Sequence, residues 1–340
     1  MSERGTTVFT DIDWARPGKQ VGHAWLPHSG HADAWGAVAL PLAVIKNGEG
    51  PTVLVTGAIH GDEYEGPIVI NELIRSLEAS RVEGRLILMP AANAPALRAA
   101  SRVSPLDGKN LARVFPGDPY GTPTEQIAAF IHDTLFPLCD AYVDLHAGGS
   151  SLFIEESAQV VVTPTLDAAV RARAEDMARW FGARLTVITD NMGDPRTSCG
   201  AAAHRGLAAI AAEMGENGSV SPHGVKRTRE CLARVLARLG VVPGALPAEP
   251  PASRRVRIVP RGGNLLSPGD GYFEPLHGLG DTVAAGEVAG YLHSLTEPAL
   301  VPRALHFAAG GSIYSQRTFG ITRQGNSLCV LVEDDAEAAA

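Results

Sequence analysis

The stretch Thr52-Val-Leu-Val-Thr56-Gly-Ala-Ile-His60-Gly-Asp-Glu63 decides the fold class, because a strand of buried type runs directly into two metal-binding residue types. Its apolar and β-branched start predicts a strand covered on both faces. A second run, Ala141-Tyr-Val-Asp-Leu145, leads into His146 in the same way. Since the carboxyl ends of parallel strands gather at one edge of a sheet, we expect His60, Glu63 and His146 to meet there.

These three residues have the donor types of a catalytic zinc site. Imidazole nitrogens and a carboxylate oxygen bind zinc, and three protein ligands leave a fourth position for water. We therefore predict one zinc ion per chain, bound by His60, Glu63 and His146. Taken singly, each residue is more often a surface or packing residue. Their shared placement at strand ends favours the metal site.

Zinc hydrolases also need a general base, which is usually a carboxylate. Glu213 follows the apolar run Leu207-Ala-Ala-Ile-Ala-Ala212 and is our candidate. The alternatives are that Glu213 is only a structural ion-pair partner, or that the nearby Glu216 is the base. The run itself fits a strand or a helix by period alone, but its short length before Glu213 suits a buried strand.

Strands and helices alternate on both sides of these motifs. Further strands are predicted at 85–90, 159–163 and 185–188, and helices at 67–77, 166–181 and 222–239. Thr122-Pro-Thr-Glu125 has the pattern of a helix start with a capping box. The alternation predicts an α/β fold with a mostly parallel or mixed sheet and helices on both faces.

The length of 340 residues suits two domains. We predict a catalytic domain at 1–242 that begins with short strands as an N-terminal β extension. A proline-rich linker follows at 243–253. Short strands and glycine turns then predict a small C-terminal all-β domain at 254–332.

Composition excludes several classes of protein. A net charge of −8 argues against a general nucleic-acid surface, which needs a basic excess. No apolar run approaches the roughly 20 residues that span a bilayer, and the start has no signal-peptide pattern. The four cysteines are widely spaced, which favours free thiols in a cytoplasmic protein. The sequence leaves open whether the chain is a homo-oligomer.

A long loop with three arginines, Arg98, Arg102 and Arg113, precedes the capped helix. Guanidinium groups bind carboxylates at two points and stabilise oxyanions near a metal. For Arg102 and Arg113 we prefer anion binding to the alternative of solvated arginines that fix the loop by ion pairs, and Asn110 of the same loop is a candidate substrate-binding residue. For Arg98 we prefer a solvated surface role.

Four acidic residues beside the predicted ligands have weaker cases. Asp62 and Asp144 could orient the metal ligands or merely cap turns. The pair Glu155-Glu156 could meet a cationic substrate group, although a solvated acidic pair is the simpler interpretation. Five further histidines without ligand-like neighbours are expected to be structural: His204, His223, His277, His293 and His306.

The ordered motifs resemble those of the succinylglutamate desuccinylase/aspartoacylase family of the zinc carboxypeptidase superfamily. The matching motifs are Gly57-Ala-Ile-His60-Gly-Asp-Glu63, Asn93-Ala-Pro-Ala96, Arg102 through Arg113-Val-Phe-Pro-Gly117, Asp144-Leu-His146 and Glu213-Met-Gly215. The resemblance covers about residues 35–332. Within the family, the chain is most similar to the bacterial branch that contains N-alpha-acetyl-L-2,4-diaminobutyrate deacetylases.

The resemblance implies a role for each motif. It implies zinc at His60, Glu63 and His146, with Glu213 as base and proton shuttle, and a carboxypeptidase-like fold. It also implies that Arg102 polarises the scissile carbonyl, that Arg113 holds the substrate carboxylate, and that the C-terminal β domain caps the site. One position departs from the family pattern, because Ala112 stands where asparagine usually precedes the arginine.

The leading hypothesis is a zinc-dependent amidohydrolase that removes a small acyl group, preferably acetyl, from an N-acyl amino acid such as N-acetyl-diaminobutyrate. The alternatives are a deacylase of an acidic amino acid, as in succinylglutamate desuccinylase or aspartoacylase, a carboxypeptidase, and an inactive ligand-binding homologue. The glycine turns at 278–290 resemble biotin or lipoyl carriers. Carriers need a modified lysine, and the last lysine is Lys226, so this function is excluded.

Overall fold

The chain folds as a β hairpin, then alternating strands and helices, then strands alone. The computed structural model describes residues 5–31, 33–191, 194–215 and 217–335. The strands are β1 (Phe9–Thr10), β2 (Gly18–Pro27), β3 (Ala37–Asn47), β4 (Thr52–Gly57), β5 (Gly84–Met89), β6 (Ala141–His146), β7 (Leu152–Ile154), β8 (Ser157–Val161), β9 (Leu185–Thr189), β10 (Ala208–Glu213), β11 (Arg254–Ile258), β12 (Asn264–Leu266), β13 (Gly271–Pro275), β14 (Thr282–Val283), β15 (Val288–His293), β16 (Arg303–His306), β17 (Gly311–Arg317), β18 (Ile321–Thr322) and β19 (Ser327–Asp334). The helices are α1 (Glu65–Ser76), α2 (Ala94–Arg98), α3 (Pro123–Ala129), α4 (Ala168–Phe181), α5 (Ser198–His204) and α6 (Pro222–Arg238).

The centre of the main sheet consists of four neighbouring parallel strands in the order β5, β4, β6 and β10. Every residue of β4 and β6 is buried. Their alternate residues belong to two different cores: Val53 and Val55 pack on one face, and Leu54 packs on the other. A strand with apolar residues on both faces must be covered on both sides, and this confirms the predicted α/β class.

Helices cover the two faces of this centre. The long helices α1, α4 and α6 bury apolar side chains against one face, among them Ile70, Met177 and Leu232. The opposite face is covered by α2, α3, α5 and the loop around Phe115. Glu125 accepts a hydrogen bond from the backbone N–H of Thr122 at 2.9 Å and so completes the capping box at the start of α3.

The structure decides the form of two segments, the run at 207–212 and the N-terminal region. The run 207–212 is the strand β10, which pairs with β6 in parallel register and places Glu213 beside His146. The N-terminal region forms one long antiparallel hairpin of β2 and β3, and not only short strands. Its inner strand β3 pairs with β5 and extends the sheet.

The C-terminal strands are joined to the same sheet. β11 runs parallel to β9, with Arg254 opposite Leu185, and β19 pairs with β11, β12 and β17. A smaller sheet has the strand order β16, β15, β13 and β18. The division at 242 and 254 stays a prediction, but the region beyond residue 254 is hydrogen-bonded to the catalytic region.

The four cysteines are free thiols, as predicted. Within the described part of the chain, no helix is both long and apolar enough to cross a membrane.

Candidate active site

The side chains of His60, Glu63 and His146 meet at the carboxyl ends of β4 and β6. The Nδ1 atoms of His60 and His146 lie 2.8 Å and 2.9 Å from the two carboxylate oxygens of Glu63. One donor atom from each residue lies within 4.8 Å of the others, and all three side chains are buried. This donor set of two nitrogens and one oxygen fits a zinc ion.

The turn that carries His60 and Glu63 is held by close backbone contacts. Gly61 approaches α2 so closely that an added Cβ would lie 2.0 Å from the backbone of Ala96. The backbone N–H of Ala147 donates to Glu63 Oε2 at 3.1 Å, which ties the two strand ends together. The geometry of the predicted ligands is therefore set by backbone packing before any ion binds.

The distal nitrogen of each histidine faces a side-chain acceptor. His60 Nε2 lies 3.2 Å from Asn110 Oδ1, and His146 Nε2 lies 3.0 Å from Asp144 Oδ2. Each acceptor favours a proton on Nε2, and Nδ1, which faces Glu63, is then the nitrogen that could bind a metal. Asp144 therefore contacts a predicted ligand, His146, as one of its two predicted roles requires, and that role stays a prediction. Asn110 contacts His60, and its predicted contact with substrate stays a prediction.

Asp144 is itself held by hydroxyl groups. Thr56 Oγ1 donates to its Oδ1 at 2.7 Å, and Ser198 Oγ donates to its Oδ2. Burial works against ionisation of Asp144, but His146 and these hydrogen bonds outweigh burial and lower its pKa. Sequence analysis missed Thr56 and Ser198, because neither stands within two residues of a predicted ligand.

Attraction between opposite charges keeps Glu63, Asp144 and His146 ionised. Burial alone would raise the pKa of Glu63, yet the two histidines beside it hold that pKa well below its usual range. The pKa of His146 is raised well above its usual value, because Asp144 and Glu63 outweigh burial. The pKa of His60 is lowered, chiefly by burial. Two ionised carboxylates at the site favour a bound cation.

Glu213 lies beside this cluster, at the end of β10 and opposite His146 in the sheet register. Its Oε1 accepts a hydrogen bond from Gln159 Nε2 at 3.4 Å. Its Oε2 is buried and has no hydrogen-bond partner among the described residues. Burial is the main cause that raises the pKa of Glu213 to about 8. A carboxyl group that titrates near neutral pH suits proton transfer. Glu216, the competing candidate, lies outside the described residues.

The two arginines assigned to the site reach it from the loop before α3. Arg102 Nη1 lies 3.4 Å from His60 Nδ1 and 3.7 Å from Glu63 Oε1. Arg113 Nε lies 3.6 Å from an oxygen of Asp194, which sequence analysis missed. Burial and the neighbouring Arg102 lower the pKa of Arg113. Two guanidinium groups beside the cluster form an anion-attracting wall.

This loop is fixed to the helix that follows it. Asp107 accepts hydrogen bonds from the backbone N–H of Thr124 at 2.8 Å and from its hydroxyl at 2.7 Å. Lys109 forms an ion pair with Glu125 at 2.6 Å. The positions of Arg102 and Arg113 therefore depend on the start of α3.

Five of the seven predicted site residues line one cavity of about 810 Å³: His60, Arg102, Arg113, His146 and Glu213. Its catalytic wall includes His60, Arg102 and Glu213, and its opposite wall includes Tyr314 and Asn264 from the C-terminal strands. A second cavity, of about 800 Å³, lies between α1 and α6 and is lined by none of the predicted site residues. The first cavity is the candidate active site.

The weaker candidates have structural contacts. Asp62 accepts from the backbone and hydroxyl of Ser150, so it caps a turn. Glu155 pairs with Arg184 and Glu156 with Arg227, and neither acid lines the first cavity. The pair is thus neither solvated nor directed at a substrate amine.

Two residues near Glu213 also escaped sequence analysis. Tyr314 lies on β17, 101 positions after Glu213 (314 − 213), and its neighbours in the sequence form no recognisable motif. Gln159 lies inside an apolar run, where its polarity was the one available hint. Only the pairing of β8 with β10 brings Gln159 near the base.

Comparison with known proteins relates this arrangement to a described family. Residues 49–239 match the succinylglutamate desuccinylase/aspartoacylase catalytic domain. The chain is 33% identical to an N-alpha-acetyl-L-2,4-diaminobutyric acid deacetylase of Halomonas elongata over 331 residues. This alignment covers 97% of this chain and 96% of the relative.

Solved structures agree over almost the whole chain. A succinylglutamate desuccinylase/aspartoacylase from Rhodobacter sphaeroides superposes with a TM-score of 0.90 at 35% identity, covering 97% of this chain and 100% of the other. The product-bound ectoine utilization protein EutE (DoeB) from Ruegeria pomeroyi superposes with a TM-score of 0.91 at 35% identity, covering 96% and 99%.

Proposed function

Because the chain belongs to the succinylglutamate desuccinylase/aspartoacylase family, we propose that it is a zinc-dependent deacylase of N-acyl amino acids. Within that class we favour removal of an acetyl group from an N-acetyl-diaminobutyrate-like substrate. The relative from Halomonas elongata, a deacetylase of N-alpha-acetyl-L-2,4-diaminobutyric acid, supports this choice.

One observation carries the proposal. Glu213 lines the same cavity as His60 and His146, whose donor atoms converge with that of Glu63, and burial raises the pKa of Glu213 to about 8. A metal-binding cluster alone would fit a structural site. A buried carboxyl group beside it, with one oxygen unpartnered among the described residues, provides the proton acceptor that hydrolysis needs.

The donor set would hold zinc through His60 Nδ1, His146 Nδ1 and the carboxylate of Glu63. When bound, zinc would act as a Lewis acid that polarises the amide carbonyl and lowers the pKa of a water molecule. The contacts of Asn110 and Asp144 with the two Nε2 atoms would hold both rings with Nδ1 directed at the metal.

The residues of the chain then handle charge and protons. Glu213 takes a proton from the attacking water and delivers it to the nitrogen of the leaving amine. Arg102 donates to the carbonyl oxygen as negative charge develops on it. Arg113 binds the carboxylate of the amino acid, so that the scissile amide faces Glu213.

Ala112 limits how firmly Arg113 holds that carboxylate. The Arg113 Nη1 group donates to the backbone carbonyl of Ala112 at 2.7 Å, while the methyl side chain of Ala112 offers no hydrogen bond. An asparagine here would add a donor worth roughly 1.5–3 kcal/mol toward a charged group. We therefore favour a substrate with one carboxylate over a diacid.

The function is tested with a panel of acyl amino acids. Acetyl, succinyl and longer acyl derivatives of diaminobutyrate, aspartate, glutamate and ornithine are incubated with the zinc-loaded enzyme, and the free amine is measured. We expect acetyl-diaminobutyrate to be cleaved fastest. Faster cleavage of the aspartate or glutamate derivatives would contradict the substrate assignment, and cleavage of peptides alone would indicate a carboxypeptidase.

Two substitutions test the mechanism. We expect Glu213→Ala to retain one zinc per chain and to lose at least about 100-fold in kcat, because the base is removed and the ligands stay. His60→Ala should lose both zinc and activity. Metal content and hydrolysis are measured on the same preparations. A fully active Glu213→Ala enzyme would overturn the assignment of the base.

A further inference from the structure

We propose that Gln159 and Tyr314 form a positioning pair that directs the carboxylate of Glu213 toward the reacting atoms. The inference rests on the proposed function, since it assigns a cause to the orientation of the proposed base. Neither residue belongs to the motifs that identify the family, and both line the same cavity as Glu213.

The strand register places the pair on the side of the sheet that carries Glu213. β8 runs antiparallel to β10, with Ser157 opposite Glu213 and Gln159 opposite Ala211. Residues two apart on a strand share a face, so Ser157, Gln159 and Glu213 project from the same face. Gln159 is the diagonal neighbour of Glu213, within reach of a long side chain.

Hydrogen bonds from the amide of Gln159 link the three side chains. Gln159 Nε2 donates to Glu213 Oε1 at 3.4 Å and to the hydroxyl oxygen of Tyr314 at 3.0 Å. The tyrosine hydroxyl lies 2.8 Å from Ser157 Oγ. An amide nitrogen has two hydrogens, and these two acceptors use both of them. The tyrosine hydroxyl oxygen accepts from the amide and so keeps the nitrogen, rather than the oxygen, of the Gln159 amide on the side of the carboxylate.

The tyrosine supplies a rigid anchor for this chain of hydrogen bonds. Tyr314 is 4% exposed and packs in an apolar cluster with Val187, Val256 and Val332. Its ring is thereby fixed, while a glutamate side chain has three rotatable bonds. The amide restrains Oε1 and leaves Oε2, which has no hydrogen-bond partner among the described residues, to act as the proton acceptor.

This arrangement gives the C-terminal strands a part in catalysis beyond enclosing the cavity. Tyr314 lies on β17, which pairs with β7 and β19, so the anchor of the base comes from the region after residue 254. Misplacing a catalytic group by about 1 Å can cost about 100-fold in rate. Loss of the amide should therefore reduce turnover while leaving the binding of zinc and of substrate in place.

Four variants test the pair in the zinc-loaded, full-length enzyme: Gln159→Met, Gln159→Glu, Tyr314→Phe and the double variant Gln159→Met/Tyr314→Phe. Methionine keeps the length of Gln159 without its amide. We expect Gln159→Met to lower kcat by about 10- to 100-fold, with KM within about 2-fold of the unaltered enzyme. Tyr314→Phe should lower kcat by about 3- to 10-fold, the effect of one hydrogen bond.

The double variant and Gln159→Glu distinguish a positioning role of the pair from a role in packing alone. The double variant should lose no more than Gln159→Met alone, because Tyr314 acts through the amide. Gln159→Glu, which places an acceptor against Glu213, should be worse than Gln159→Met. Thr228→Val is the matched control, since it removes a buried hydroxyl that donates to the backbone carbonyl of Gly224 within α6, and its kcat should be unchanged.

The results can overturn the inference independently of the proposed function. If Glu213→Ala is inactive but Gln159→Met keeps full kcat, the positioning role fails and the deacylase function stands. Additive losses in the double variant, or a fall in kcat accompanied by loss of zinc or of thermal stability, would also contradict it. If Glu213→Ala is active, the proposed base itself is wrong.

Discussion

Glu213 differs from the other acidic residues of the site in what surrounds it. Glu63 and Asp144 each face a histidine, and those contacts lower their pKa values despite burial. For Glu213, the effect of burial outweighs the attraction of His146, and the pKa rises from a usual value of 4.5 to about 8. The surroundings therefore keep the carboxyl groups of Glu63 and Asp144 ionised, which suits them to hold a cation. The surroundings of Glu213 instead suit its carboxyl group to carry a proton.

This difference predicts how stability depends on pH when metal is absent. The folded-state pKa of Glu213 is raised, so the native protein binds one proton more than the unfolded chain between about pH 4.5 and 8. Stability is then lost as the pH rises through that window. Glu213→Gln does not titrate. In chelator, the variant should match the unaltered protein near pH 4 and become more stable by at least about 1 kcal/mol near pH 8.

Denaturant unfolding at several pH values in the presence of a chelator measures this difference. The measured quantity is the variant's free energy of unfolding minus that of the unaltered protein, so groups that titrate in both proteins cancel. A difference that stays constant between pH 4 and 8, or that reverses sign, would contradict the raised pKa.

At the scale of elements, the arginine loop depends on the helix that follows it. The backbone of Thr124 at the start of α3 donates to Asp107, and this contact holds the loop between Arg102 and Arg113. Burial opposes ionisation of Asp107, yet the hydrogen bonds from Thr124 outweigh burial and lower its pKa. The contact is thus an ionised carboxylate bound to the N-terminus of a helix, where negative charge is favourable.

We expect Asp107→Ala to reduce kcat/KM by about 10-fold or more, because both arginines lose a fixed position. The free energy of unfolding should fall by about 1–2 kcal/mol, the usual cost of losing a helix cap. The lowered pKa makes this stabilisation present above pH 4 and lost as the pH falls further. Asp167→Asn is a matched control, since Asp167 caps α4 outside the arginine loop, asparagine can also cap it, and Asp167 does not itself line the cavity. Unchanged kinetics in Asp107→Ala would contradict the dependence.

The same scale explains what sequence can reveal. β4, β6 and the predicted ligands at their ends could be found because apolar runs specify buried strands and because parallel strand ends converge. β10 was ambiguous between helix and strand, since six mostly alanine residues carry no period, and its pairing with β6 decides it. Ser198, Gln159 and Tyr314 could not be found. Each acts through a contact between elements far apart in sequence, and a single polar residue in an apolar run does not identify its partner.

At the scale of the whole molecule, the two predicted regions share one sheet and one set of buried side chains. β11 pairs in parallel with β9, so the first strand after the proline-rich segment continues the catalytic sheet. Val187 of the catalytic region is buried in one cluster with Val256, Tyr314 and Val332. Separating the regions would expose this cluster and leave the edge of β9 unpaired, which is a costly state for a long sheet.

We therefore expect the whole chain to unfold in a single cooperative transition, although its length suits two domains. Calorimetry should give one peak whose calorimetric and van't Hoff enthalpies agree. Because zinc is expected to bind only the folded state, adding it should move that entire peak upward. A reversible scan with two peaks, of which only one responds to zinc, would mean that the region after residue 254 folds on its own. In that case Tyr314 would be an anchor that local unfolding of the C-terminal region could withdraw from Gln159 without melting the metal site.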